Sequence, residues 1–277
     1  MFNRNAHTTL IDCLTPAIFA QVYAAMQSDP APWQRGSAPL NGKAMLEAAL
    51  DLVEELRRGK YRSAAMQHHT ITKACGGKRV ISSLCKRDKF AQKLIALGLQ
   101  AQAETLFHHD SYGYRPKRSV EHALARARER IRMGLSWLVD ADIQSFFDRI
   151  PHRPLRACFA QFCPDAGLNQ LIEQWLSIGT YTQSFFDGAR GIPQGAVISP
   201  LLCNLYLHPF DESMRKAGLP FVRYADDFLL FAPDEQAANF ALKHARRSIE
   251  ALGLNLKPEK TRVVAASKAV IFLGQSL

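Results

Sequence analysis

Apolar and polar residues recur along this chain at two different periods, and each change of period marks a new element. Helical spacing predicts a short helix near 15–27 and a longer one from Lys43 to Arg58, in which Leu46, Leu50, Val53 and Leu56 recur before Gly59 stops it. Pro30, Pro32 and Pro39 make the stretch between them a loop. Residues 70–82 read as a hairpin turning at Gly76-Gly77, and a helix follows from about Lys89 to Leu106. Ser119 then precedes a helix carrying Arg126, Arg128, Arg130 and Arg132. Those arginines spread around the helix, so most are expected to be solvated and some to touch phosphate. A strand at 136–143 opens the central part. Helical material leads from it to a long helix, Pro200 to Lys216, and then to a hairpin at 220–232. Asp234 caps a helix reaching about Leu252, Gly253 ends it, and a strand pair over roughly 262–274 comes last.

The central order, β-α-β-β-α-β, is that of the split βαβ motif, which makes the fold class α+β. In that topology the first strand lies beside the third and antiparallel to it. The end of the first strand therefore reaches the turn joining the second and third. Asp142 stands at that strand end, and Asp226-Asp227 stand at that turn.

Adjacent carboxylates repel one another unless a cation sits between them. Aspartates also fill ordinary hairpin turns, and an isolated pair would be read that way. Here the pair lies between the apolar runs Phe221-Val222 and Phe228-Leu229-Leu230-Phe231, and topology adds a third acid. Three acids on strand ends suit a phosphoryl-transfer site holding two divalent ions, Mg²⁺ with Mn²⁺ as a substitute. In Asp140-Ala141-Asp142 the spacing allows either acid; Asp142 is preferred, Asp140 being a bystander and Asp148 a stabiliser of the turn into Pro151.

Other segments carry weaker signals. Gly191-Ile192-Pro193-Gln194-Gly195 is a rigid loop whose glycines permit close backbone approach, with Gln194 placed to contact a nucleotide; Pro-Gln-Gly also makes a plain turn. Phe147 is either a core aromatic beside Phe146 or a ring against a nucleotide sugar. Lys73, Lys78 and Arg79 flank a glycine turn, where cations can close over a triphosphate or simply be solvated. Tyr112, Tyr114 and Arg115 mix aromatic and basic groups as single-strand tracks do, against the alternative of packed loop tyrosines.

Composition narrows the partner. The 277 residues carry a net charge of +10, with pI ≈ 9.5, which suits a polyanion. The six cysteines form no C-x-x-C pair, so reduced thiols of a cytoplasmic protein are expected, without zinc or disulfides. No apolar run approaches the length of a membrane span, and no signal-peptide core follows Met1-Phe2-Asn3-Arg4.

Five ordered segments resemble the reverse transcriptases, in particular the bacterial group II intron-like kind, over about residues 65–275. They are Phe107 to Pro116; Asp142-Ile143-Gln144-Ser145-Phe146-Phe147-Asp148; Gly191 to Gly195 running on through Ser199 to Leu207; Tyr224-Ala225-Asp226-Asp227; and Leu252 to Thr261 with Phe272-Leu273-Gly274. The resemblance implies a right-hand polymerase with an N-terminal helical extension (1–60), fingers (61–135, with part near 150–190) and a palm (136–277), without a thumb. It implies RNA-directed DNA synthesis from dNTPs on a primed template with two Mg²⁺ ions. It assigns catalysis to Asp142, Asp226 and Asp227, and metal binding to these with Ile143. Nucleotide contacts fall on Lys73, Lys78, Arg79, Phe147 (a sugar gate) and Gln194. Nucleic-acid contacts fall on Tyr112, Tyr114, Arg115, Gly195, Tyr224 and Lys260. Either a partner supplies the thumb surface or the chain is a self-contained short version, and a role in CRISPR spacer acquisition or phage defence, with spacer-acquisition machinery as a partner, is one expectation for the pathway. The rival readings are a catalytically silent RNA-binding or maturase-like scaffold, and an RNA-dependent RNA polymerase on the same palm.

Overall fold

The computed structural model describes residues 7–72, 78–178, 182–184, 188–267 and 269–277. In chain order the elements are α1 (Leu10–Cys13), α2 (Pro16–Met26), α3 (Gly42–Arg57), β1 (Gln67–Thr72), β2 (Lys78–Ser83), α4 (Lys86–Leu106), α5 (Val120–Arg132) and β3 (Trp137–Asp142). There follow α6 (Phe146–Arg149), α7 (His152–Phe162), α8 (Ala166–Ile178), β4 (Thr182–Ser184), β5 (Gly188–Arg190) and α9 (Ser199–Lys216). The chain closes with β6 (Phe221–Tyr224), β7 (Asp227–Ala232), α10 (Glu235–Ala251), a 3₁₀ turn at Pro258–Lys260, β8 (Arg262–Ala265), β9 (Ile271–Phe272) and β10 (Gln275–Ser276). No described helix is long and apolar enough to cross a membrane.

The chain divides into two compact units: Met1–Thr105 with Pro151–Leu202, and Leu106–Ile150 with Cys203–Leu277. The first is largely helical. Its core brings Phe90 of α4 against Phe19 of α2 and against Trp33, with ring centroids 5.7 and 6.0 Å away. Buried polar groups there are satisfied in a chain: Trp175 Nε1 donates to Tyr61 Oη at 3.2 Å, and Tyr61 Oη donates to Asp88 Oδ1 at 2.7 Å. Helix α3 ends at Gly59 in the left-handed region, φ 66°, as its sequence predicts. Its buried stripe is Met45, Ala49, Leu52, Val53 and Leu56, so Leu46 and Leu50 turn outward despite their spacing. Helix α4 starts three residues before the predicted Lys89. The turn expected at Gly76-Gly77 lies outside the described residues, although β1 and β2 on either side of it pair antiparallel as expected. The described cysteines are all free, and Cys75 lies outside the described residues.

The second unit is built on one four-stranded sheet ordered β6-β7-β3-β8, every neighbouring pair antiparallel. Numbered by strand, that order is 2-3-1-4, which is the split βαβ arrangement. Side chains alternate across a strand, so Leu138, Asp140 and Asp142 share a face with Asp227, Leu229 and Phe231, which lie opposite them in register. Helix α5 packs on this face: Ala123, Leu124 and Ala127 form one cluster with Leu138, Val222, Leu229 and Phe231. Phe210 of α9 meets Phe228 at 4.9 Å and Phe221 at 6.5 Å on the other face. Helix α10 brings small buried residues, Ala238, Ala241 and Ala245, against the sheet, capped at its start by Asp234.

The final strands differ from the expected pair over 262–274. Strand β8 joins β3, while β9 pairs with β10 in a separate hairpin. Leu273 and Gly274 both take positive φ, 51° and 81°, and turn the chain back at Phe272, so 262–265 and 271–272 never face one another.

Candidate active site

Strands β6 and β7 are joined by two residues, Ala225 and Asp226, because Tyr224 pairs directly with Asp227. Ala225 has φ 58° and Asp226 does not share the positive sign, the pattern of a II′ turn, where glycine normally takes the first central place. An alanine there is strained and must be held. Gly113 passes directly beneath: a Cβ at that position would stand 2.4 Å from Ala225 N. Only glycine permits that approach.

The register places Asp142 opposite Asp227. The end of β3 is tied down on both sides: Ile143 N donates to Asp226 O at 3.4 Å, and Lys257 N donates to Asp142 O at 2.8 Å. The backbone thus brings together the three acids that the sequence singled out. Burial, and then the neighbouring Asp142 carboxylate, push the Asp227 carboxyl up to about 7, with the Lys260 ammonium opposing them. Lys260 Nζ lies 2.8 Å from Asp142 Oδ2, and that hydrogen bond raises the lysine's own pKa. An acid that resists ionising because it is buried beside another carboxylate is the donor chemistry a divalent cation reverses, so these residues fit such ions. Ile143 has a buried side chain, which leaves its backbone carbonyl as its available ligand. Asp140 pairs with Arg262, Nη2 to Oδ2 at 2.8 Å, consistent with a bystander. Asp148 sits within the short helix α6.

The remaining candidates divide. Phe146 is buried while Phe147 is half-buried, its ring edge-on to Phe146 at 5.7 Å and to Tyr114 at 6.5 Å. The core role therefore belongs to Phe146, and Phe147 keeps an accessible edge. Tyr114 is exposed with φ 62°, and Tyr224 is half-buried against the α5 cluster. Tyr112 and Arg115 are largely buried, and each has a partner within the fold. Arg115 Nη1 donates to the carbonyls of His108 and Ser111 at 2.6 and 2.7 Å, and Tyr112 N donates to Arg223 O at 2.8 Å. Both brace the loop that underlies the turn.

In the first unit, the β1–β2 hairpin and the Gly191–Gly195 loop meet. Ser82 N donates to Gln194 O at 2.7 Å, and Gly195, at φ 109°, passes so close that a Cβ would stand 2.4 Å from Ser82 O. Gly195 itself is exposed. Lys78 and Arg79 belong to β2, and Lys73 lies outside the described residues.

Sequence periodicity missed the partners of the arginines on α5. Arg126 Nε donates to the buried Asp110 at 2.9 Å, Arg130 pairs with the same carboxylate, and Arg128 Nη2 donates to Ser276 O at 2.8 Å. All three are tethers, Arg126 and Arg130 half-buried and Arg128 at the surface. On the outer side of α5 a groove of about 700 Å³ is lined by Tyr112, Lys117, Arg118, His122, Arg126 and Arg132 among others. Arg118 stands over the Tyr112 ring at 5.3 Å, and Lys117 and Arg132 are exposed.

The sheet and turn describe an α+β fold of split βαβ order with acids gathered at one end of its sheet. The chain belongs to the reverse transcriptase (RNA-dependent DNA polymerase) family, whose model matches residues 69–277. That family is one of RNA-directed DNA polymerases working with divalent metal ions. Among curated relatives, protein YkfC of Escherichia coli is 28% identical over 280 residues, spanning 85% of this chain and 74% of its own. The group II intron-encoded protein LtrA of Lactococcus lactis is 28% identical over 214 residues, 76% of this chain but 35% of LtrA. Telomerase from Candida albicans shares the fold at TM-score 0.59 and 14% identity, over 80% of this chain and 45% of that one.

Proposed function

We propose that this chain extends a primer 3′ end with dNTPs on an RNA template, using Asp142, Asp226 and Asp227 to hold two divalent ions, Mg²⁺ or Mn²⁺. The observation that carries the reading is the register of β3 against β7, which sets Asp142 opposite Asp227 across the strained Ala225-Asp226 turn. Such ions, when bound, supply the charge that activates a hydroxyl and neutralises a leaving pyrophosphate. The chain's own part is to fix two carboxylates on strand ends, Asp142 and Asp227, and the third, Asp226, in the tight turn beside them, where backbone pairing limits their movement. Lys260 holds Asp142 from the side. Lys78, Arg79 and Gln194 serve the incoming nucleotide, and the accessible edge of Phe147 excludes a 2′-hydroxyl. The basic groove on α5 takes nucleic-acid phosphate.

Primer extension on an RNA template with Mg²⁺ tests this, comparing wild type with the Asp226→Ala/Asp227→Ala double variant. Loss of incorporation on the order of 10³-fold is expected. Equal incorporation by both proteins refutes the assignment. Parallel reactions with rNTPs separate DNA from RNA synthesis, and Phe147→Ala is expected to admit rNTPs that wild type rejects.

A further inference from the structure

Directly beneath the acid turn lies a charged group that no solvent reaches. Arg223 on β6 and Asp211 on α9 are both fully buried, and they form a two-pronged pair: Nε to Oδ1 at 2.7 Å and Nη2 to Oδ2 at 2.6 Å. The third nitrogen, Nη1, does not point at Asp211. It donates to Ala225 O at 2.9 Å and to Asn204 Oδ1 at 3.0 Å. Asn204 in turn donates from Nδ2 to Gly113 O at 2.8 Å, and Gly113 is the residue pressed against Ala225 N. One guanidinium therefore spans helix α9, the supporting loop and the first residue of the turn.

We infer that Arg223 is a positioning residue for the metal-binding acids: it fixes the Ala225 carbonyl so that the turn presents Asp226 and Asp227 toward Asp142. The inference rests on the polymerase reading above and adds to it the part that makes the geometry hold. Three facts join in it. Ala225 occupies a backbone region that alanine disfavours, so the turn needs an external restraint. The restraint comes from a planar fork whose other two nitrogens are immobilised by Asp211, so Nη1 has one direction to point. The two residues that follow Ala225, Asp226 and Asp227, are ligand candidates, so a shift of the carbonyl moves them. Lysine cannot replace this function, because a single ammonium cannot hold Asp211 at two points and reach Ala225 O as well.

A buried ion pair is weak evidence for stability, and replacing both partners by apolar residues of similar volume is often neutral. That separates positioning from folding. In Arg223→Met/Asp211→Leu the pair disappears as a unit, and the Ala225 carbonyl loses its donor. The variant is expected to unfold within a few degrees of wild type. Its Mn²⁺ affinity, read by electron paramagnetic resonance without substrate, is expected to fall about tenfold. Its kcat for dNTP addition is expected to fall about 10²-fold with template–primer KM unchanged. Arg223→Lys keeps the charge against Asp211 and gives a second route should the double variant fail to fold; its kcat is expected to fall at least tenfold at unchanged KM. A folded variant with wild-type Mn²⁺ affinity and kcat overturns the inference. The Mn²⁺ titration distinguishes this from failure of the polymerase reading, which shows instead as incorporation that survives loss of Asp226 and Asp227.

Discussion

Two charged clusters in the second unit look alike in composition and differ in what balances them. Among the described residues, His108, His109 and Asp110 are the group whose ligand atoms all lie within 4.8 Å of one another, the spacing at which a single ion binds. Asp142, Asp226 and Asp227 do not close so tightly. Yet the first cluster is already neutralised: Arg126 and Arg130 each take one oxygen of Asp110, and a cation entering there would meet two guanidiniums. At the second, Asp227 is held near neutrality by burial and by other acids. Compactness of ligand atoms and balance of charge thus favour different clusters, and the function proposed above follows the second. Asp110 is tied to two arginines, whereas at the turn a single lysine, Lys260, meets Asp142.

The sharpest way to break this contrast is to remove one acid from each cluster. Asp110→Ala leaves two arginines facing a buried vacancy and frees the carbonyl segment that receives Arg223 N at 2.9 Å. It is expected to destabilise the protein by about 3 kcal/mol, toward the low end for breaking a buried pair because Arg126 is partly exposed. Denaturant unfolding measures it. Asp227→Asn should do nothing of the kind. If Asp110→Ala left stability unchanged while Asp227→Asn lowered it, the assignment of brace and site would be reversed.

How much of this was legible beforehand depends on the range of the interaction. The split βαβ order, the Asp234 cap and the Asp142–Asp227 juxtaposition follow from local periodicity and one topological rule, and each appears in the structure. Arg223 and Asp110 were not legible as structural charges. Within a strand or loop their letters read as solvated, and only tertiary packing places a carboxylate against each. The burial of Tyr112 and Arg115 was hidden for the same reason, since an aromatic-basic mixture describes a buried brace as well as a nucleic-acid track. Leu46 and Leu50 show the converse: helical spacing fixes which residues share a face, and tertiary packing decides which face is covered.

The Asp227 carboxyl supplies a finer test through pH. Its folded value, about 7, lies above the ordinary 3.8. The folded protein therefore retains this proton after the unfolded chain has lost it. Stability from this group falls as pH rises from about 4 to about 7 and stays low above that, by a few kcal/mol at most. In metal-free buffer, Asp227→Asn should match wild type near pH 4 and exceed it at pH 8. A divalent cation should stabilise wild type more at pH 8 than at pH 6, and the variant little at either. Parallel stability curves for the two proteins across this range would remove the electrostatic reading of the turn.

The smallest expected effect concerns the groove on α5, where the contrast turns on cations instead of acids. Arg126 and Arg130 are spent on Asp110, whereas Lys117 and Arg132 are exposed and form no salt bridge among the described residues. If the unspent pair meets nucleic-acid phosphate, Lys117→Glu/Arg132→Glu removes two counterion-releasing contacts. Affinity for a labelled RNA–DNA template–primer should drop about tenfold, and the dependence of log Kd on log salt should become shallower by about 1.5 to 2. Anisotropy titrations in EDTA at several KCl concentrations read both quantities without engaging the acids. An unchanged salt slope would mean that these lysine and arginine side chains are merely solvated, and that the unit's charge near Asp110 serves the fold alone.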